Sequence, residues 1–128
     1  MFSWNDMRVL RNYFEDANED FQEDVFLMIV NNDGTVYALK INDSQTLNVA
    51  IEYDLSNAKG STTQEKIDFL NENLRKDYAQ NSNLELTFLK FFESYGATLY
   101  EAADQNLSNW NLLELNNNKD QVVSTTCK

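Results

Sequence analysis

The sequence has no histidine and no proline, one cysteine and three glycines. Without histidine, no Ser-His-Asp or Cys-His arrangement can be built, and no side chain has an ordinary pKa close to neutrality. Zinc and iron sites draw on His and Cys clusters, so no such metal and no cofactor is expected. Gly34, Gly60 and Gly96 are spaced for neither a phosphate-binding loop nor a dinucleotide fingerprint. Cys127 has no partner for an internal disulfide, which fits a reducing, cytoplasmic setting. The scarcity of proline and glycine leaves no stretch that reads as a linker, so one domain over residues 1–128 is expected. No apolar run approaches the ~20 residues needed to span a bilayer. Met1–Arg8 lacks both a basic start and an apolar stretch, so no signal peptide is expected.

Cations are also scarce: 10 Lys and Arg stand against 21 Asp and Glu, a formal charge of −11. Nucleic acid and anionic lipid both demand basic surfaces, so this balance argues against binding either. It permits fast, steered association with a basic protein, or serves solubility alone. The sequence specifies no oligomeric state.

Hydrophobic residues make up 42% of the chain, enough for a core. Ser3 is placed to cap a helix in which Trp4, Met7, Leu10 and Phe14 recur at helical spacing, with Asp6 at its third position. Val25–Val30 is a continuous apolar run, the pattern of a central strand buried on both faces. Asn31-Asn-Asp-Gly34 supplies hairpin turn chemistry, and Thr35–Ile41 reads as the return strand, with Tyr37, Leu39 and Ile41 on one face. After a turn at Asn42–Ser44, Leu47, Val49, Ile51, Tyr53 and Leu55 alternate with Asn48, Ala50, Glu52 and Asp54. That reads as a third strand, with Glu52 and Asp54 on its wet face.

The period then changes. Thr62–Glu65 and Ser82–Glu85 read as capping boxes for two helices. One carries Ile67, Leu70, Leu74 and Tyr78; the other carries Leu84, Phe88, Phe91, Phe92 and Tyr95 and is closed by Gly96. Leu99-Tyr100 and Trp110–Leu115 read as late strands. Asn116–Asp120 reads as a turn, and residues 119–128 as a weak strand or frayed tail. The expected architecture is α+β: an N-terminal helix, an antiparallel three-stranded meander, two helices, and one or two C-terminal strands.

The candidate functional segment is FEDANEDFQED, where Glu15, Asp16, Glu19, Asp20, Glu23 and Asp24 crowd the last helical turn and the connector that follows. Acids at a helix C-terminus oppose its dipole, so the fold gains nothing evident from grouping them there. A calcium-loop alignment starting at Asp16 fails, because Phe21 stands where the turn needs glycine and Leu27 where the bidentate Glu belongs. Two readings remain: a basic protein partner reached by these six acids, with Phe21 the buried anchor of that interface, or a solvated connector in which Phe21 is a staple holding the helix to the sheet.

In length, acidity, missing catalytic chemistry and α+β pattern, the chain resembles the small acidic immunity proteins of bacterial toxin systems, including those of contact-dependent growth inhibition. The resemblance implies a cytosolic inhibitor that binds a cognate toxin domain, often a basic nuclease, and blocks its active site or substrate surface. The competing readings are an acidic DNA mimic of phage or regulatory type and a carboxylate-based hydrolase, the latter requiring paired carboxylates in a deep pocket.

Overall fold

The computed structural model describes residues 1–127. Its element order is α1 (Trp4–Asp16), a 3₁₀ helix (Glu19–Asp24), β1 (Phe26–Val30), β2 (Val36–Ile41), α2 (Ser44–Asn57), α3 (Thr63–Gln80), α4 (Leu84–Phe91), β3 (Ala97–Ala102), β4 (Trp110–Leu115) and β5 (Val122–Thr126). The strands form one antiparallel sheet in the order β1-β2-β3-β4-β5, which makes the class α+β.

α1 starts where its capping signals place it. The Ser3 N–H donates to the Asp6 carboxylate at 2.7 Å, and the Asp6 N–H donates to the Ser3 hydroxyl at 3.2 Å. Trp4, Met7 and Leu10 then drop fully into the core. The helix packs against α2, α3 and the β1–β2 end of the sheet, while α4 packs against β4. All the helices therefore serve one face. On that inner face the register aligns Leu27, Leu39, Leu99 and Leu113 in a single row across four strands. Phe2, Phe88 and Phe92 fill the space between this row and the helices, with ring centroids 5.9 Å and 4.9 Å apart along the chain of three.

Residues 47–55 are not a strand. They lie within α2, with Leu47 and Ile51 buried and Leu55 packed against the core, while Val49 and Tyr53 face outward. Asp43, expected in a turn, is the N-cap: its carboxylate accepts from the Thr46 N–H at 3.1 Å, and that bond holds its pKa below the ordinary carboxylate range. The expected meander therefore has only two of its three strands, and β3 takes the third place, pairing with β2 from 97 to 101. Glu52 and Asp54 are not both solvent contacts. Glu52 accepts from Arg11 of α1 at 2.6 Å. Asp54 accepts from the Trp4 indole at 2.8 Å and from the Tyr95 hydroxyl, so it satisfies two aromatic donors at the helix–helix seam.

Val25–Val30 is not central either. β1 is an edge strand whose inward residues, Leu27 and Ile29, pack on the core, while Phe26, Met28 and Val30 point away from it. Its turn follows expectation: Gly34 has φ +87°, and the Thr35 N–H donates to Asp33 at 2.9 Å. Two further caps differ from the expected boxes. Thr62 caps α3 by accepting from the Glu65 N–H, but the Glu65 carboxylate accepts from Ser61 rather than from the Thr62 N–H. Asn83, not Ser82, caps α4, and Glu85 instead accepts from the Tyr37 hydroxyl at 2.5 Å. α4 ends at Phe91, so Gly96 is no helix cap. It opens β3, and its carbonyl accepts from the N–H groups of Asn42 and Asp43. The segment over 122–126 pairs with β4 in full register.

Candidate functional site

The acidic segment is the end of one helix, a short extended joint and a second, tighter helix. Ala17 and Asn18 break α1, and Glu19–Asp24 winds into a 3₁₀ helix that delivers the chain directly into β1. The joint is held by the Gln22 side chain, which donates to the Phe14 carbonyl at 3.1 Å. Glu15, Asp16, Glu19, Asp20, Glu23 and Asp24 are all exposed. Among the described residues none of them pairs with a cation; the ion pairs are Arg11–Glu52, Arg75–Glu72 and Lys119–Glu93. Phe21 is 61% exposed and is not a staple between helix and sheet. The structure thus brings all seven residues onto one surface segment, with an aromatic ring held among unpaired carboxylates.

That segment leads onto a second feature, which the apolar run in the sequence disguised. Because the helices cover only the inner face, the outer face of the sheet meets no layer among the described residues. Its middle row runs Met28, Ala38, Tyr100, Leu112 and Thr125, each directly opposite the next across the strands. Phe26 and Lys40 pair in the row at one end, and Trp110 lies opposite Ala102 in the row at the other. Phe26 is 50% exposed, Met28 42% and Val30 65%. A depression of about 410 Å³ lies on this face, lined by Phe26, Ala38, Lys40, Tyr100, Trp110 and Cys127. The Trp110 indole N–H donates to the Leu107 carbonyl at 3.1 Å, which fixes the ring as one wall. The sequence signal for this face is the outward half of the Val25–Val30 run combined with Trp110 and Leu112. An unbroken run conceals the alternation that would have separated the two faces.

Several carboxylates elsewhere are engaged in local structure. Asp104 accepts from the Ser108 N–H, the Ser108 hydroxyl and the Asn109 amide, and these bonds hold its pKa below the usual range. Asp33 is lowered in the same way by Thr35. Glu101, on the inner face opposite Tyr37, is raised, first by burial and then by the neighbouring charges of Glu85 and Asp33. The Tyr37 hydroxyl is raised as well, by burial and by its bond to Glu85. Among the described residues no three His, Cys, Asp or Glu side chains are grouped to hold a metal ion, and no helix is long and apolar enough to cross a membrane.

The raised Glu101 carries a testable consequence. A carboxyl whose folded pKa exceeds its unfolded value stabilises the fold below the unfolded pKa, and that contribution is lost as pH rises through the folded value. Ionising Glu101 is therefore a cost to the fold. Glu101→Gln should raise stability at pH 7, with the gain closing towards pH 4. Thermal midpoints at the two pH values check this, and an equal gain at both would contradict it.

No family model matches the chain, and neither curated proteins nor solved structures give a match.

Proposed function

We propose that the protein is a binding inhibitor of a basic protein partner, an immunity protein in the manner of bacterial toxin systems, and that the segment 15–24 is part of its contact surface. One observation carries the reading: six exposed carboxylates without a cation partner among the described residues surround an exposed phenylalanine. Grouped like charges raise the energy of the folded chain, and a basic partner relieves that repulsion on binding. An aromatic side chain held in such a ring is the kind of residue that supplies affinity once water is excluded around it. The charges then set the rate and choice of partner, while Phe21 sets the lifetime of the complex.

Phe21→Ala separates anchor from ornament. Because the ring is largely exposed, the substitution should change stability by less than about 0.5 kcal/mol, while weakening the complex by about 2 kcal/mol. Denaturant midpoints and calorimetric titration against the isolated partner measure the two effects. The identity of the partner tests the function itself. Tagged protein in its native cell should retain one basic protein, and co-expression should suppress that protein's toxicity. Retention of several unrelated DNA-binding proteins would identify a DNA mimic instead.

A further inference from the structure

We infer that the outer face of the sheet is the apolar centre of the interface with the basic partner, and that the depression between Phe26, Tyr100 and Trp110 seats one apolar side chain of that partner. The inference rests on the reading of the chain as a binder of a basic protein.

An antiparallel sheet with one wet face normally turns polar side chains outward on that face. Here β1 turns Phe26, Met28 and Val30 outward, and the middle row continues through Ala38, Tyr100 and Leu112. β1 is also an edge strand, where outward apolar residues invite unwanted pairing and bring no benefit to the free chain. A contiguous apolar face of this kind marks an interaction surface.

Charge selects the occupant. A second copy would bring another −11 to a face bordered by the 3₁₀ helix, which runs straight into Phe26, and by Glu114, which stands outward beside Val123. A basic surface is attracted by the same groups. Within the depression the sign is reversed, because Lys40 is one of its walls. Its stem adds apolar surface, while its ammonium group repels a cation from the centre. The partner's cations are therefore directed to the acidic border and an uncharged apolar side chain to the depression.

Three synthetic peptides test this against the isotope-labelled full chain by NMR: a Lys/Arg-rich peptide with one central Trp, the same peptide with Ala, and an acidic peptide with the Trp. Both basic peptides should shift the amides of residues 19–24. Only the basic Trp peptide should also shift Met28, Tyr100 and Leu112, and it should bind about tenfold more tightly than the Ala peptide. Met28→Gln and Leu112→Gln keep the charge, and each should reduce the Trp peptide towards the Ala peptide's affinity while leaving the shifts at 19–24 intact. Met28 is a surface position, so its variant should keep the wild-type thermal midpoint within a few degrees. Shifts confined to 19–24 for both basic peptides would overturn the inference but leave the basic-partner reading standing. A concentration-dependent dimer that buries Met28 and Leu112 would also overturn it, since a second copy would then be the occupant. Failure of both basic peptides to shift 19–24 would overturn the basic-partner reading, and the occupant proposed here with it.

Discussion

Ile51→Ala is expected to destabilise the protein by about 3–4 kcal/mol, while Tyr53→Ala, two residues on, should change stability by less than about 0.5 kcal/mol. Ile51 is fully buried, one turn beyond Leu47 on α2, so its truncation leaves a cavity that the surrounding helices and sheet fill only in part. Tyr53 is 67% exposed on the other side of the same helix. In a strand with alternating inward residues, 51 and 53 would share a face and lose comparable amounts. Urea midpoints for the two variants therefore read the period of the segment directly. Similar losses at both positions would contradict the helix.

Gly96→Ala should be strongly damaging, costing about 3 kcal/mol or more. Two effects add. Gly96 has φ +75°, in the left-handed region where a Cβ costs roughly 1 kcal/mol. A Cβ there would also stand 2.5 Å from the Asp43 carbonyl oxygen and 3.1 Å from the Thr46 Cβ, too close to either for ordinary contact. The carbonyl of Gly96 accepts from both Asn42 and Asp43, so any shift away from the overlap loosens the joint between β2, α2 and β3. A denaturation curve close to wild type would show that this corner yields easily. Gly34→Ala is a fitting control: it meets the same left-handed strain with nothing within 4 Å.

How far the sequence revealed the fold follows from where two periods agree. α1, the β1–β2 turn, α3 and β4 were legible because a cap or turn residue and the apolar spacing pointed to the same element. In α1 this was Ser3 with Asp6 ahead of Trp4, Met7 and Leu10. Residues 47–55 misled because a step of four residues fits both periods. Leu47, Ile51 and Leu55 lie on one face of a helix, and equally on one face of a strand. The exposed Val49 and Tyr53 completed a false alternation. The deciding residue was Asp43, whose bond to the Thr46 N–H starts the helix, and Asx residues favour turns and caps alike.

The acidic part of the candidate site was fully legible, since charge is a property of the residues themselves. Its exposure, and that of Phe21, was not: whether an aromatic between acids turns inward depends on how α1 ends, and the 3₁₀ helix after Ala17 turns the ring out. The sheet face was hidden for a related reason. An apolar run signals burial without saying by what, and Phe26–Val30 reads alike whether its second face meets a layer of the same chain or a different molecule.

The most direct test of the account is the rate at which the isolated basic partner associates with the wild-type chain and with a variant in which Glu19, Asp20, Glu23 and Asp24 are replaced by Gln or Asn, measured across a range of salt concentrations. Charges on the border of an interface act chiefly on the encounter. The wild-type rate should fall steeply as salt rises. The variant, folded and within about 0.5 kcal/mol of wild-type stability, should associate at least tenfold more slowly at low salt and depend on salt far less. Equal rates and equal salt slopes for the two chains would show that the acidic segment is only a solvated connector, and would contradict the account.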